Sequence, residues 1–225
     1  MERHFESELR NLKQRILAMG GAVEASIEEA TRALQERAPE RFNRVFELEH
    51  SINQAHIEVD EACVNLLARQ SPLAADLRFV VAVIKINTDL ERMGDQAVNI
   101  AYNGRAYLEH PPLKPLVDIP KMAEEVRLMT RKALDAFVRQ DRALAQEVLN
   151  CDDSVDRSKN EIFKELIQFM MKEPSVVPTA INLILIARNL ERIGDHATNI
   201  AEDVIFLISG DDIRHGGFKA PQASD

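Results

Sequence analysis

Apolar residues recur along this chain at steps of three and four positions, from near the N-terminus almost to the C-terminus. The step is visible at Leu9, Leu12, Ile16 and Met19, and again at Ile162, Leu166, Phe169 and Met170. Because an α-helix turns once every ~3.6 residues, this spacing lines apolar side chains along one helical face. No run alternates as a half-buried strand would. The pattern predicts an all-α protein.

Proline, glycine and capping residues divide the pattern into helices predicted over residues 5–37, 40–69, 73–109, 121–139, 142–172 and 178–208. Ser71 and Pro72 suit the start of the third helix, and Asp141 suits the N-cap of the fifth. Long helices joined by short turns must run antiparallel to their neighbours. The fold predicted is two tandem three-helix bundles: residues 1–110, a proline-rich linker over 111–120, residues 121–208, and a loose tail over 209–225.

One block of sequence occurs twice. Glu91–Asp95 and the following Asn99–Ala101 return 100 positions later as Glu191–Asp195 and Asn199–Ala201, without a gap. Neither composition nor helical periodicity produces such a match, so the chain is one unit written twice. Gly94 and Gly194 lie inside the block, where a glycine costs a helix about 1 kcal/mol relative to alanine. We expect a backbone, a partner helix or a ligand to come close there.

Oxygen-bearing side chains follow each copy at helical spacing. Steps of four residues advance only about 40° around a helix, so such side chains climb one face. The third helices carry Glu91, Asp95 and Asn99, then Glu191, Asp195, Asn199 and Asp203, and the middle helices carry Glu49 and Asn53, then Asp152 and Asp156. Hard cations prefer such oxygen ligands. We predict one site in each half for one or more divalent or trivalent ions, with Fe, Zn, Mg and Mn all compatible.

Net charge narrows the range of partners. A formal charge of −9 argues against nucleic acid as the main partner and suits cations or basic protein surfaces. Cys63 and Cys151 match no metal or redox spacing, so we expect free thiols. The apolar runs over 79–84 and 181–187 are much shorter than the roughly 20 residues that span a bilayer, and the N-terminus does not resemble a signal peptide. We expect a soluble intracellular protein.

The doubled Glu-Arg-x-Gly-Asp-x-x-x-Asn-Ile-Ala motif resembles the PhoU family of phosphate-uptake regulators. Asp60–Ala62, Asp76–Arg78 and the paired acid motifs belong to the same resemblance, which covers residues 6–208. It implies pseudo-symmetric bundles with polynuclear metal clusters on the acidic ladders. It also implies a cytoplasmic protein, often a homodimer, that reaches the membrane only through its partners.

The partners implied by the resemblance are the ATPase of the phosphate ABC transporter and the phosphate-sensing histidine kinase. Such a protein restrains phosphate uptake and holds off the phosphate-starvation response without being an enzyme. Two departures weaken the first site: Asn53 stands where the family often has an acid, and Tyr102 stands where the second copy has Glu202. We expect the first site to bind metal more weakly than the second.

Three other interpretations stay open at the level of sequence. The acids could form a docking surface balanced by Arg92 and Arg192, or the chain could be a metal-free helical scaffold. A di-metal carboxylate enzyme would need Glu-x-x-His on two helices. Here Glu47-x-x-His50 occurs once, and its counterpart ends in Asn150.

Overall fold

A computed structural model describes residues 2–69, 72, 74–114, 116–211 and 213. The described residues form no strand, and they contain six long helices with a short 3-10 turn before the second and the sixth. The helices are α1 (Glu2–Glu36), α2 (Phe42–Arg69), α3 (Ala74–Leu108), α4 (Asp118–Arg139), α5 (Arg142–Lys172) and α6 (Val177–Ser209). The all-α prediction is confirmed, and each helix begins and ends within three residues of its predicted bounds.

The largest difference concerns the predicted linker. Helix α4 begins at Asp118, so Pro120 lies inside its first turn. A proline is tolerated there because the first backbone N–H groups of a helix have no partner within the helix. Lys114 ties the preceding segment to the second bundle, since its Nζ contacts Asp118 and Glu165. The connection before α4 is therefore shorter than the predicted linker over 111–120.

The capping predictions have different outcomes. The backbone N–H of Leu144 donates to Oδ1 of Asp141 at 3.1 Å, so the predicted N-cap of α5 is confirmed. The cap predicted at Ser71 lies outside the described residues, as do residue 212 and residues 214–225 of the predicted tail.

Helices α3 and α6 form the centre of the molecule. Fifteen of the 35 residues of α3 and 17 of the 33 residues of α6 are buried, against seven of 28 in α2 and five of 31 in α5. The central helices pack on each other across the two halves, while α1 and α4 flank them. Helix α2 packs outside α1 and α3, and α5 packs outside α4 and α6. Each outer helix therefore buries one face and leaves the other to solvent.

The remaining sequence expectations concern the thiols and the membrane. Both cysteines are free, as predicted, and burial raises the pKa of Cys63 to about 12. Within the described ranges, no helix is both long and apolar enough to cross a bilayer.

Gly104 on α3 provides a test of how tightly the first bundle is packed. A side chain there would meet the buried ring of Phe42 and the methyl groups of Leu34, whereas one at Gly21 on α1 would meet nothing. We expect Gly104→Ala to lower the free energy of unfolding by about 1–3 kcal/mol through overpacking. Gly21→Ala should raise it by about 0.5–1 kcal/mol through helix propensity. Urea denaturation measures both, and equal shifts would contradict the packing.

Candidate metal centre

Glycine determines how closely the acidic helices approach. In the second half, a side chain at Gly194 would lie 3.4 Å from Cγ1 of Val155 on α5, so α5 and α6 meet at these two residues. In the first half, a side chain at Gly94 would lie 3.2 Å from Cδ1 of Ile52 on α2, so α2 and α3 meet at these two residues. Of the three expectations for these glycines, the close partner helix is the one that the structure shows.

The same register places the predicted ligands around each contact. The four contact residues are Ile52, Gly94, Val155 and Gly194. In each of the four helices, one predicted ligand lies three residues before the contact residue and another lies one residue after it. On antiparallel helices these two positions fall on the same side of the contact. Glu49 and Asn53 therefore face the groove that Glu91 and Asp95 also line. Asp152, Asp156, Glu191 and Asp195 make the equivalent set.

The four acids of the second half form an electrostatically strained group, here named the carboxylate cluster. Burial raises the pKa of Asp195 to about 6, with further contributions from the charges of Glu191, Asp152 and Asp156. Burial also raises the pKa of Asp152, followed by the charges of Asp156, Asp153 and Glu191. These acids therefore lie close enough to repel one another.

Lys159 balances part of this charge. Its Nζ donates to Oδ1 of Asp156 at 2.9 Å and to Oε1 of Glu191 at 2.7 Å, so the ammonium links α5 to α6. Hydrogen bonding to Glu191 raises the pKa of Lys159 despite its partial burial. The sequence pattern did not mark Lys159 as part of the site, although this residue lies three positions after Asp156 and so on the same helical face.

The first half has less charge in the corresponding place. Nδ2 of Asn53 donates to Oε1 of Glu49 at 2.6 Å, while Oδ1 of Asn53 is buried and finds no donor among the described residues. Asp95 and Asn99 are exposed, and Glu91 is half-buried. An orphaned amide oxygen facing carboxylates is an arrangement that a cation would satisfy.

Two predicted ligands contact α3 instead of α5. Nδ2 of Asn199 donates to Oδ1 of Asp89 at 3.2 Å, and Asp203, 1% exposed, pairs with Nζ of Lys85 at 3.3 Å. Each step of four residues advances about 40° around a helix, so Asp203 lies about 80° around α6 from Asp195. These side chains therefore turn away from α5 and toward α3. A metal role for these two residues stays a prediction that their contacts do not favour.

His196 belongs to the same interface between the halves. Its Nδ1 lies 2.8 Å from Oδ1 of Asp89, and the ring donates when Nδ1 carries the proton. The corresponding residues of the other copy are Gln96 and Asn189, and Leu185 corresponds to Lys85. Because these ionic pairs are not repeated, the internal duplication contains no signal for them.

The donor set of the second half fits a cation. Four carboxylates share one groove, burial and then the neighbouring charges raise the pKa values of Asp152 and Asp195, and an ammonium already lies between the other two acids. In the positions that the side chains hold, no three His, Cys, Asp or Glu of the described segments converge closely enough for one metal ion. A metal ion held by three of these acids would therefore require their side chains to rotate, and it would compete with Lys159 for Asp156 and Glu191.

The PhoU domain model matches residues 16–103 and 119–204, one copy in each half. The chain belongs to the PhoU family. It is 40% identical over 220 residues to the phosphate-specific transport system accessory protein PhoU homolog of Pseudomonas putida, covering 97% of this chain and 86% of that protein. The PhoU of Escherichia coli K12 is 33% identical over 215 residues, covering 95% and 88%.

Solved structures of PhoU proteins share the fold. The crystal structure from Pseudomonas aeruginosa superposes with a TM-score of 0.88 at 39% identity, covering 92% of this chain and 99% of that one. That from Streptococcus pneumoniae gives 0.86 at 29% identity, covering 93% and 99%. The resemblance inferred from the doubled motif is confirmed, and the two PhoU repeats coincide with the two three-helix halves.

The carboxylate cluster makes stability depend on pH. The native pKa of Asp195 is about 6, raised from 3.8, so the native state retains a proton that the unfolded chain loses. Stability contributed by this group is therefore greatest below the unfolded pKa and falls as pH rises through the native one. In chelator, we expect Asp195→Asn to stabilise the protein by up to about 1 kcal/mol near pH 8 and to have almost no effect at about pH 3.5, below the unfolded pKa.

Asp95→Asn is the matched control, because its groove has Asn53 where the second half has Asp156. We expect Asp95→Asn to stabilise the protein less than Asp195→Asn does near pH 8. Thermal unfolding of both variants across this range provides the measurement. An Asp195→Asn effect that does not change with pH would show that the carboxylate cluster is not strained.

Proposed function

We propose that this PhoU-family protein is a non-enzymatic regulator of phosphate uptake. The proposal follows from the names of its relatives, which are accessory proteins of phosphate-specific transport systems. The structural observation that carries it is the carboxylate cluster, which lies in a groove between an outer and a central helix. A regulator needs such an accessible charged surface for partners, and it needs no enclosed reaction site.

Metal ions would organise this surface. Asp152, Asp156, Glu191 and Asp195 are the proposed ligands in the second half, with Glu49, Asn53, Glu91, Asp95 and Asn99 in the first. A bound divalent or trivalent cation supplies positive charge that neutralises the carboxylates and offers coordination positions to oxygen atoms of a partner. The chain's own residues hold the two helices at a fixed separation, because Gly94 and Gly194 allow them to approach.

The proposed partners are the transporter ATPase and the phosphate-sensing kinase. When phosphate is plentiful, contacts through the acidic grooves would restrain uptake and keep the starvation response off. The protein would act in the cytoplasm, as a homodimer, and would reach the membrane through these partners alone. Two similar grooves on one chain suit this role, because each could engage a different copy or a different partner.

Metal content tests the first step of the proposal. We expect purified protein to contain metal, and Asp195→Ala to lose more of it than Asp95→Ala, because the second groove carries more carboxylates. Elemental analysis after dialysis against limiting metal gives the measurement. Equal occupancy of the two grooves would contradict the predicted inequality, and metal-free wild-type protein would rule out the site.

Capture by the transporter ATPase tests the second step. We expect binding in metal-containing buffer and at least about a tenfold loss with chelator or with Asp195→Ala, because the organised groove would then be absent. Asp153→Ala is the control, since this exposed acid lies on the same helix but about 160° around it from Val155, the residue that contacts α6. If Asp153→Ala weakens capture as much as Asp195→Ala, the groove is not the docking surface.

A further inference from the structure

A pocket lies at the end of the bundle where α3 begins, away from the carboxylate cluster. It has a volume of about 390 Å³ and lies between α1, the first turns of α3 and the last turn of α6. Arg10 and Lys13 of α1 line it together with Asp76 and Arg78 of α3. Three cationic side chains and one carboxylate thus line the same pocket, in a protein whose formal charge is −9.

Arg78 is the feature that points to a ligand. Its Nε is buried, and none of the described residues accepts a hydrogen bond from it. A buried guanidinium N–H without an acceptor is unfavourable, so such groups are normally paired with a side chain, a water or a bound anion. Arg78 lines the pocket, and the pocket is where an acceptor can enter.

The other two cations differ in how firmly they are held. Nζ of Lys13 donates to the carbonyl oxygen of Val138 at 3.0 Å and lies about 6 Å from the ring centres of Phe79 and Phe137. These contacts hold the ammonium in place. Arg10 is largely exposed and pairs with the exposed Glu6 at 3.8 Å, so its side chain is free to turn toward a ligand in the pocket.

We propose that this pocket binds a phosphate group, either as free orthophosphate or as the phosphate of a nucleotide. Arginine presents planar N–H donors that match oxyanions, and the excess of two positive charges matches a phosphate dianion. The volume accommodates a tetrahedral ion together with water. Asp76 accounts for selectivity, because a protonated phosphate oxygen can donate to its carboxylate whereas sulfate has no proton to donate.

The inference deepens the proposed function by giving the regulator a direct contact with phosphate, and it rests on that function only for its biological meaning. Binding is measured on the isolated chain, without the transporter. A failed phosphate titration leaves the capture experiment intact, and a failed capture experiment leaves the phosphate site intact.

Isothermal titration calorimetry of the full chain with sodium phosphate, sodium sulfate and ADP provides the test. We expect wild-type protein to bind phosphate in preference to sulfate, and Arg78→Gln to weaken that binding by at least about tenfold. Arg10→Gln should weaken it less. Arg44→Gln removes the same charge near the other end of the bundle, from an exposed pair with Glu47, and should leave binding unchanged.

Comparison of the ligands identifies the source of the phosphate group. Binding of orthophosphate alone identifies the free ion as the ligand, and equal dependence on Arg78 for ADP identifies a nucleotide phosphate. Circular dichroism confirms that Arg78→Gln folds, and Arg10→Gln repeats the test if it does not. The proposal is overturned if wild-type protein binds no phosphate at millimolar concentration, if sulfate binds equally well, or if the Arg44 variant loses as much affinity as the variants in the pocket.

Discussion

Burial of α3 and α6 on two opposite sides is the constraint on which the rest of the molecule depends. Each central helix packs on the other across the two halves and on its own outer helix at the same time. A helix with two packed faces needs small residues where the neighbours come closest, and Gly94 and Gly194 are those residues. The repeated glycine thus fixes both the separation of the helices and the width of the acidic grooves.

The two grooves show how one geometry can support unequal chemistry. The contact residues and the positions of the oxygen-bearing side chains correspond in the two grooves, but Asn53 stands in the first groove where the second has Asp156, and Lys159 bridges two acids in the second. The second groove therefore holds more negative charge, and its own ammonium partly neutralises it. A cation that binds to Asp156 and Glu191 would compete with this lysine, which links α5 to α6.

Charged side chains are concentrated in three separate regions of the molecule. The acidic grooves lie along the sides of the bundle, and the cationic pocket lies at one end, around Arg78. Between the halves, the pairs of Asp89 with His196 and of Lys85 with Asp203 are largely enclosed. Buried ionic pairs add less to stability than to specificity, because both partners must lose their water. Both pairs join α3 to α6.

Periodicity, capping and a gapless repeat are local properties of a chain, so they were enough to predict the helices, the duplication and the family. Spacing on a helix defines a face, so the sequence also predicted Glu191 and Asp195 beside the acids of α5. It did not separate Asn199 and Asp203 from that face, nor find Lys159, Lys85 or the surroundings of Arg78. Those depend on which helix lies opposite, and only the packing of α3 on α6 decided that, because contacts between distant segments leave no period in the sequence.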